Sequence, residues 1–249
     1  MERTATGIAG LDELLGGGIP RGRNTLVVGS PGSGKTILAL QFLLNGIPLD
    51  ERGLYVSLDE PPLQVKQNAA SFSWNLDESE RTGKIFFIDA TPIKRAPRKN
   101  HTPTDADESR YLQLPQVTPK RLMETISRLV DEEQIQRIAV DPITSIMLRY
   151  DDSTERRHAM MFFFDSLAAT GCTSIVTTEI RTSMLDRSFQ IEEFLSQGVI
   201  LMHTIIHEGT VVRAIQIEKM RGIKHDTQLR PYTIGDKGIE VFPKDRVFQ

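Results

Sequence analysis

The sequence predicts an α/β fold: a mainly parallel central sheet, helices on both of its faces, and an antiparallel β extension at the C-terminal end. Three observations carry that class. Short apolar runs of strand character alternate with segments of helical periodicity as far as Glu179, the order that builds a parallel sheet covered on both faces. A glycine-rich turn with a lysine, "GSPGSGKT", joins the first such strand to the first such helix. From Gly198 onward the chain changes character, and strands follow one another through hairpin-turn signals.

Taken in order, Thr25–Val28 reads as a buried strand and Ile37–Leu44 as a buried helix. "GLYVSLDE", Gly53 to Glu60, is the next strand, Leu63 to Phe72 the next helix, and "KIFFIDA", Lys84 to Ala90, a further strand. The segment opening at Pro119 starts with a helix-initiating proline and sets Leu122, Ile126 and Leu129 on one face, which predicts a helix. "RIAVDP" (Arg137 to Pro142) and "TSIVTTE" (Thr173 to Glu179) are short strands separated by a helix from about Ser153 to Ala169. The tail predicts strands joined at Glu208-Gly209 and at Asp236-Lys237-Gly238. Residues 93–118 hold Pro97, Pro103 and Pro115 and a basic cluster followed by an acidic one; without a sustained period they predict a mobile surface loop. No aromatic interleaves the basic run before Tyr111, which favours a solvated loop over a nucleic-acid contact.

A chain of 249 residues buries one large core, so a single domain over 1–249 is expected. Its 30 basic and 33 acidic residues nearly balance and leave no overall electrostatic footprint for nucleic acid. The lone Cys172 cannot form an internal disulfide, and no Cys/His cluster has metal-ligand spacing, which fits a reducing compartment and speaks against zinc. No hydrophobic signal core follows Met1, and no uninterrupted run of about eighteen apolar residues occurs. The expectation is a soluble, cytoplasmic protein without a membrane partner.

Between strand and helix, Gly29, Gly34, Lys35 and Thr36 fit G-x-x-x-x-G-K-[ST], a phosphate-binding P-loop. Glycines let successive backbone N–H groups curl around a triphosphate, and the helix N-terminus adds the positive end of its dipole. Ser30, Pro31, Gly32, Ser33, Gly34, Lys35, Thr36 and Ile37 are therefore the candidate contacts to ATP. Lys35 would reach the β- and γ-phosphates, and the Thr36 hydroxyl would ligate Mg²⁺. Asp141, closing an apolar strand, fits the second anchor for that metal. Asp59 and Glu60 stand where a strand exits at the ligand-binding edge of the sheet; chemistry alone leaves them either carboxylates that activate water or solvated loop acids before Pro61.

The segments "TGIAGLDELLGGGIPRG", "GSPGSGKT", "YVSLDE", "SFSWNL", "IAVDP", "IVTTEI" and "IEKMRGIKHD" together resemble the RecA superfamily, and within it the KaiC-like ATPases, nearly end to end. The resemblance implies a RecA-type fold and a hexameric ring with ATP between subunits. It implies that Glu60 is the catalytic carboxylate, with Asp59 where the family usually has a second glutamate. Lys219 and Arg221 match the family's K-x-R pair, which reaches the γ-phosphate on the neighbouring subunit, and residues i and i+2 of a strand share a face. Ser71, Met220, His225 and Asp236 match positions that touch base and ribose across the interface, while Ile223 replaces a hydroxyl residue common nearby. Thr178 and Glu179 match the position that senses the γ-phosphate. In RecA-like proteins the bond after the strand-end aspartate can be cis, and before proline that isomer costs only about 0.5–1 kcal/mol, so a cis Asp141-Pro142 bond is expected.

Three functions compete at this level: a homo-oligomeric ATPase of KaiC type with a protein partner that the sequence does not name, a recombinase-like ATPase acting on single-stranded DNA, and a nucleotide-dependent scaffold without turnover. The segment after Glu179, "IRTSMLDRSFQIEEF", has no glycine and more acids than arginines, which disfavours DNA. Glu193 and Phe194 stand where the two-domain clock proteins of the family carry their phosphorylated residues, so ATPase rather than autokinase activity is expected.

Overall fold

The computed structural model describes residues 1–91, 112–113, 118–179, 190–207 and 209–247. A short antiparallel pair, β1 (Arg3–Thr4) and β2 (Ile19–Pro20), brackets α1 (Ala9–Leu14). The P-loop unit follows: β3 (Asn24–Gly29), α2 (Lys35–Leu44) and β4 (Arg52–Ser57). After it come α3 (Pro62–Ala69), α4 (Leu76–Arg81), β5 (Ile85–Asp89), β6 (Leu112–Gln113) and α5 (Pro119–Glu133). Then β7 (Ile135–Asp141), α6 (Thr144–Met147), α7 (Ser153–Ala169), β8 (Thr173–Glu179) and α8 (Ile191–Leu195) lead to four closing strands. These are β9 (Gly198–His207), β10 (Thr210–Met220), β11 (Arg230–Gly235) and β12 (Gly238–Val241).

One ten-stranded sheet runs β12-β11-β10-β9-β3-β8-β7-β4-β5-β6. From β9 to β6 neighbouring strands are parallel, and from β9 through β12 they are antiparallel. The predicted antiparallel extension therefore begins at β10, one strand later than the reading from Gly198, because β9 pairs parallel with β3 on its other side. Leu112–Gln113, inside the segment read as a loop, adds an edge strand to β5; the rest of 93–117 lies outside the described residues. Among the described residues no helix is long and apolar enough to cross a membrane.

Both sheet faces are covered, and side chains alternate between two cores. Val27, Tyr55, Ala139 and Ile175 join the cluster under α1, α2 and α3. Leu26, Val28, Leu54, Val56, Ile138, Val140 and Val176 join the one under α5 and α7. This parity decides which strand-end residues reach the P-loop side. The helix ends follow local chemistry: Asn75, Thr118 and Asp152 accept first-turn amides of α4, α5 and α7, and Pro119 sits in the first turn of α5, where an amide N–H is not needed.

Candidate functional site

The P-loop leaves β3 at its C-terminal end and enters α2, whose N-cap is Gly34 at φ 96°. That φ suits position 34 to glycine, and a Cβ at Gly29 would lie 2.5 Å from Ser33 Oγ and 3.0 Å from the Met202 carbonyl oxygen. The Lys35 ammonium donates to the carbonyls of Gly29 (2.9 Å) and Ser30 (3.1 Å), which holds it inside the loop. Burial lowers the Lys35 pKa, with the Asp141 and Glu179 carboxylates acting against that shift. Ser30 Oγ donates to Thr204 Oγ1 at 3.3 Å, Pro31 and Gly32 are exposed, and Ile37 is half-buried behind Thr36. Tyr232 on β11 donates to the Ser33 carbonyl at 2.6 Å; its burial pushes the phenol up to about 12, so it stays a donor.

Asp141 closes β7 at the same sheet edge, and its carboxylate gathers three hydroxyls. Thr36 Oγ1 and Tyr55 OH donate to Oδ2, each at 2.6 Å, and Thr177 Oγ1 donates to Oδ1. Burial, and after it the Asp141 charge, pushes the Tyr55 phenol well above its ordinary range. The Asp141-Pro142 bond is cis, as expected.

Lys35, Thr36, Tyr55, Ser57, Asp59, Glu60, Val65, Asp141, Pro142 and Glu179 line one pocket over this edge. Glu60 is half-buried on its rim; its Oε1 accepts from Asn68 Nδ2 at 3.0 Å, and its carbonyl accepts from Ser57 Oγ. Asp59 beside it is exposed. Ser71 lies in the turn after α3, donating to the Asn68 carbonyl at 2.7 Å. Asp236 sits at the exposed tip between β11 and β12, a hairpin that clasps α2: Gln41 donates to the Ile239 carbonyl (3.3 Å) and accepts from the Ile239 amide (2.7 Å). Ser71 and Asp236 thus belong to elements around the chain's own P-loop helix rather than to its opposite edge.

Lys219, Met220, Arg221 and His225 lie elsewhere. Met220 pairs with Gly198, Gly198 pairs with Thr25, and the Arg221 amide donates to Gln197 at 2.9 Å, so Lys219, Met220 and Arg221 flank the start of β3 while the P-loop leaves its end. Five residues of strand, about 17 Å, separate the two. A bulge between Ile217 and Lys219 precedes the pair; after it the pairing runs on regularly through Met220, whose side chain is buried between the half-buried Lys219 and the exposed Arg221, and β10 ends at Met220. Arg221 follows in an exposed turn. Met220, expected at the base or ribose, is 4% exposed and packs in its own core against Thr25 and Gly198. The Lys219 ammonium donates to the carbonyls of Glu193 (2.5 Å) and Ser196 (2.7 Å); burial, and after it the Arg221 charge, lowers its pKa. His225 is half-buried, with Nδ1 3.4 Å from the Ile223 carbonyl.

Thr178 also departs from expectation. Parity along β8 puts Ile175, Thr177 and Glu179 on the α2 side, so Thr178 faces the other core, where its hydroxyl meets Thr144 Oγ1 (3.1 Å) and Glu192 Oε1 (3.3 Å). Thr177 takes the place beside Asp141, and Glu179 lines the pocket. Tyr55 and Thr177 are the site residues that motif reading missed; their parity with Asp141 was the available signal.

The donors around Asp141 are all oxygen, the kind that hard cations such as Mg²⁺ prefer. Among the described residues no group of three or more His, Cys, Asp or Glu could hold a metal. A cation at Thr36 and Asp141 would therefore take most of its shell from phosphate oxygens and water, as Mg²⁺ commonly does.

Comparison with known proteins agrees with this geometry. A family model described as "ATPase: KaiC" matches residues 4–246. A circadian clock oscillator protein KaiC of Parasynechococcus marenigrum (strain WH8102) is 34% identical over 98% of this chain and 45% of its own length, so the chain spans about half of that relative. A UPF0273 protein of Thermotoga maritima is 33% identical over 98% of both chains. The crystal structure of a KaiC-like protein from Pyrococcus horikoshii OT3 superposes with a TM-score of 0.80 at 30% identity, covering 97% of this chain and 99% of that one. With its P-loop and strand-end aspartate in place and the family model matched nearly end to end, the chain belongs to the KaiC ATPase family.

Proposed function

We propose that the protein binds and hydrolyses ATP as a homo-oligomeric ring, hexameric by analogy with the family, with each nucleotide held between two copies and the turnover serving signalling or regulation through a protein partner. The observation that carries this reading is the single pocket shared by Lys35, Thr36, Asp141 and Glu60 at the sheet edge where α2 begins.

The roles follow from position. Lys35 sets its charge against the β- and γ-phosphates, beside the first-turn amides of α2. Thr36 and Asp141 hold the Mg²⁺, which neutralises charge on the phosphate oxygens when bound. Glu60, steadied by Asn68, orients or deprotonates the attacking water, with Asp59 beside it at the rim. Glu179 lines the wall where the γ-phosphate would sit. Ser71 and Asp236 flank the base from the P-loop side.

Distance supports the shared site. Arg221 flanks the far end of β3, about 17 Å along the strand from its own P-loop, so a second copy has to deliver it. A contact between unlike surfaces of identical chains closes into a ring when its rotation permits. Arg221 is the exposed cation of the K-x-R pair, and Lys219, bonded to Glu193 and Ser196, anchors the strand end from which it projects.

Light scattering with and without ATP, combined with phosphate release on the same sample, tests the reading. ATP-dependent or constitutive rings that release phosphate are expected. A monomer at all nucleotide concentrations, or ATP binding without phosphate release, contradicts it; stimulation by single-stranded DNA would favour the recombinase-like alternative.

A further inference from the structure

Asp141 lies on the middle one of three adjacent strands, β8-β7-β4, and both neighbours send a hydroxyl to its carboxylate. Thr177 from β8 donates to Oδ1, and Tyr55 from β4 donates to Oδ2 at 2.6 Å. Tyr55 is 1% exposed and contributes to the pocket wall. Strand register sets Ser57, not Tyr55, opposite Asp141, so the tyrosine reaches its oxygen along the strand, a span that a shorter hydroxyl side chain would not cover. Thr36 donates to the same Oδ2 from the P-loop helix, on the pocket side.

The three donors are not equivalent. Thr36 belongs to the loop that would take the nucleotide, and its hydroxyl is the one a metal would recruit. Tyr55 and Thr177 are fixed in the sheet, and each already commits its hydroxyl proton to Asp141. A carboxylate gripped on both oxygens cannot rotate about its last bond, so the lone pairs left over keep one direction, toward the pocket.

We propose that Tyr55, together with Thr177, is a positioning residue: the two hydroxyls clamp Asp141 in the orientation that receives the Mg²⁺ of a bound nucleotide. The assignment rests on the reading of the pocket as a Mg²⁺-nucleotide site. It assigns the paired hydroxyls a role in metal affinity rather than in nucleotide contact.

The test uses the full chain and a fluorescent ADP, titrated with Mg²⁺ in excess and with EDTA. Tyr55→Phe keeps the ring and its packing against Phe87, at 5.8 Å between centroids, and removes only the hydroxyl. Wild type and Tyr55→Phe are expected to bind the nucleotide equally in EDTA, while the variant needs roughly tenfold more Mg²⁺ to reach the tightened affinity, the loss of one hydrogen bond to a charged acceptor. Thr177→Val should move the Mg²⁺ requirement in the same direction, and it serves as the reporter if Tyr55→Phe does not fold. An unchanged Mg²⁺ requirement in a folded variant, or weakened binding already in EDTA, overturns the assignment. Wild-type affinity that ignores Mg²⁺ overturns the reading of the pocket and the assignment with it.

Discussion

The Thr36 hydroxyl donates to the Asp141 carboxylate across 2.6 Å, joining the first turn of the P-loop helix to the end of β7 over 105 positions of sequence. If both side chains serve one cation, Thr36→Val, which keeps the shape and loses the oxygen, should lower Mg²⁺-dependent phosphate release by 10²-fold or more, on the scale of losing one group that stabilises charge in the transition state. Thr36→Ser should retain most of it. Phosphate release at saturating Mg²⁺-ATP checks both; equal activity in the valine and serine variants would separate Thr36 from the metal.

Lys35→Ala removes the point charge inside the loop, and the carbonyls of Gly29 and Ser30 lose their donor. Nucleotide binding should become undetectable at concentrations that saturate the wild type. Equilibrium binding of a fluorescent nucleotide reads this directly, and wild-type affinity in the variant would remove the phosphate-binding assignment.

Beneath the P-loop helix, Arg137 is 1% exposed, pairs with Glu51 at 2.6 Å, and donates to the carbonyls of Ala5 and Phe42, each at 2.8 Å. Arg137→Met would leave the Phe42 carbonyl without this donor, while Glu51 keeps Arg21 (3.2 Å) and the Ala5 carbonyl keeps Asn45 (3.1 Å), so unfolding free energy should fall by about 1–3 kcal/mol. Urea denaturation without nucleotide measures it. A loss below about 1 kcal/mol would mean that water or neighbouring groups take over these contacts.

What the sequence reveals here depends on how local each requirement is. The P-loop is legible because its spacing is itself the chemistry: Gly34 takes a φ of 96° that favours glycine, and a Cβ at Gly29 would crowd the loop and the Met202 carbonyl. The long strands and helices are legible by period, whereas α1, α4, α6 and α8 have only four to six residues, too few to establish one. Thr177 and Thr178 are chemically identical, and only the face of β8 that meets α2 separates them. The bulge after Ile217 and the burial of Met220 are likewise tertiary facts that a K-x-R spacing does not contain.

The central claim is that one copy's Glu60 and another's Arg221 act on the same nucleotide, and a mixing experiment tests it most directly. Glu60→Gln and Arg221→Ala should each bind ATP and release little phosphate alone. Mixed in equal amounts under conditions where labelled subunits demonstrably exchange, they should recover up to about a quarter of wild-type activity, because random assembly leaves that share of unlike-surface contacts with both residues intact. Subunit exchange without recovery would contradict the claim and return Arg221 to a structural role.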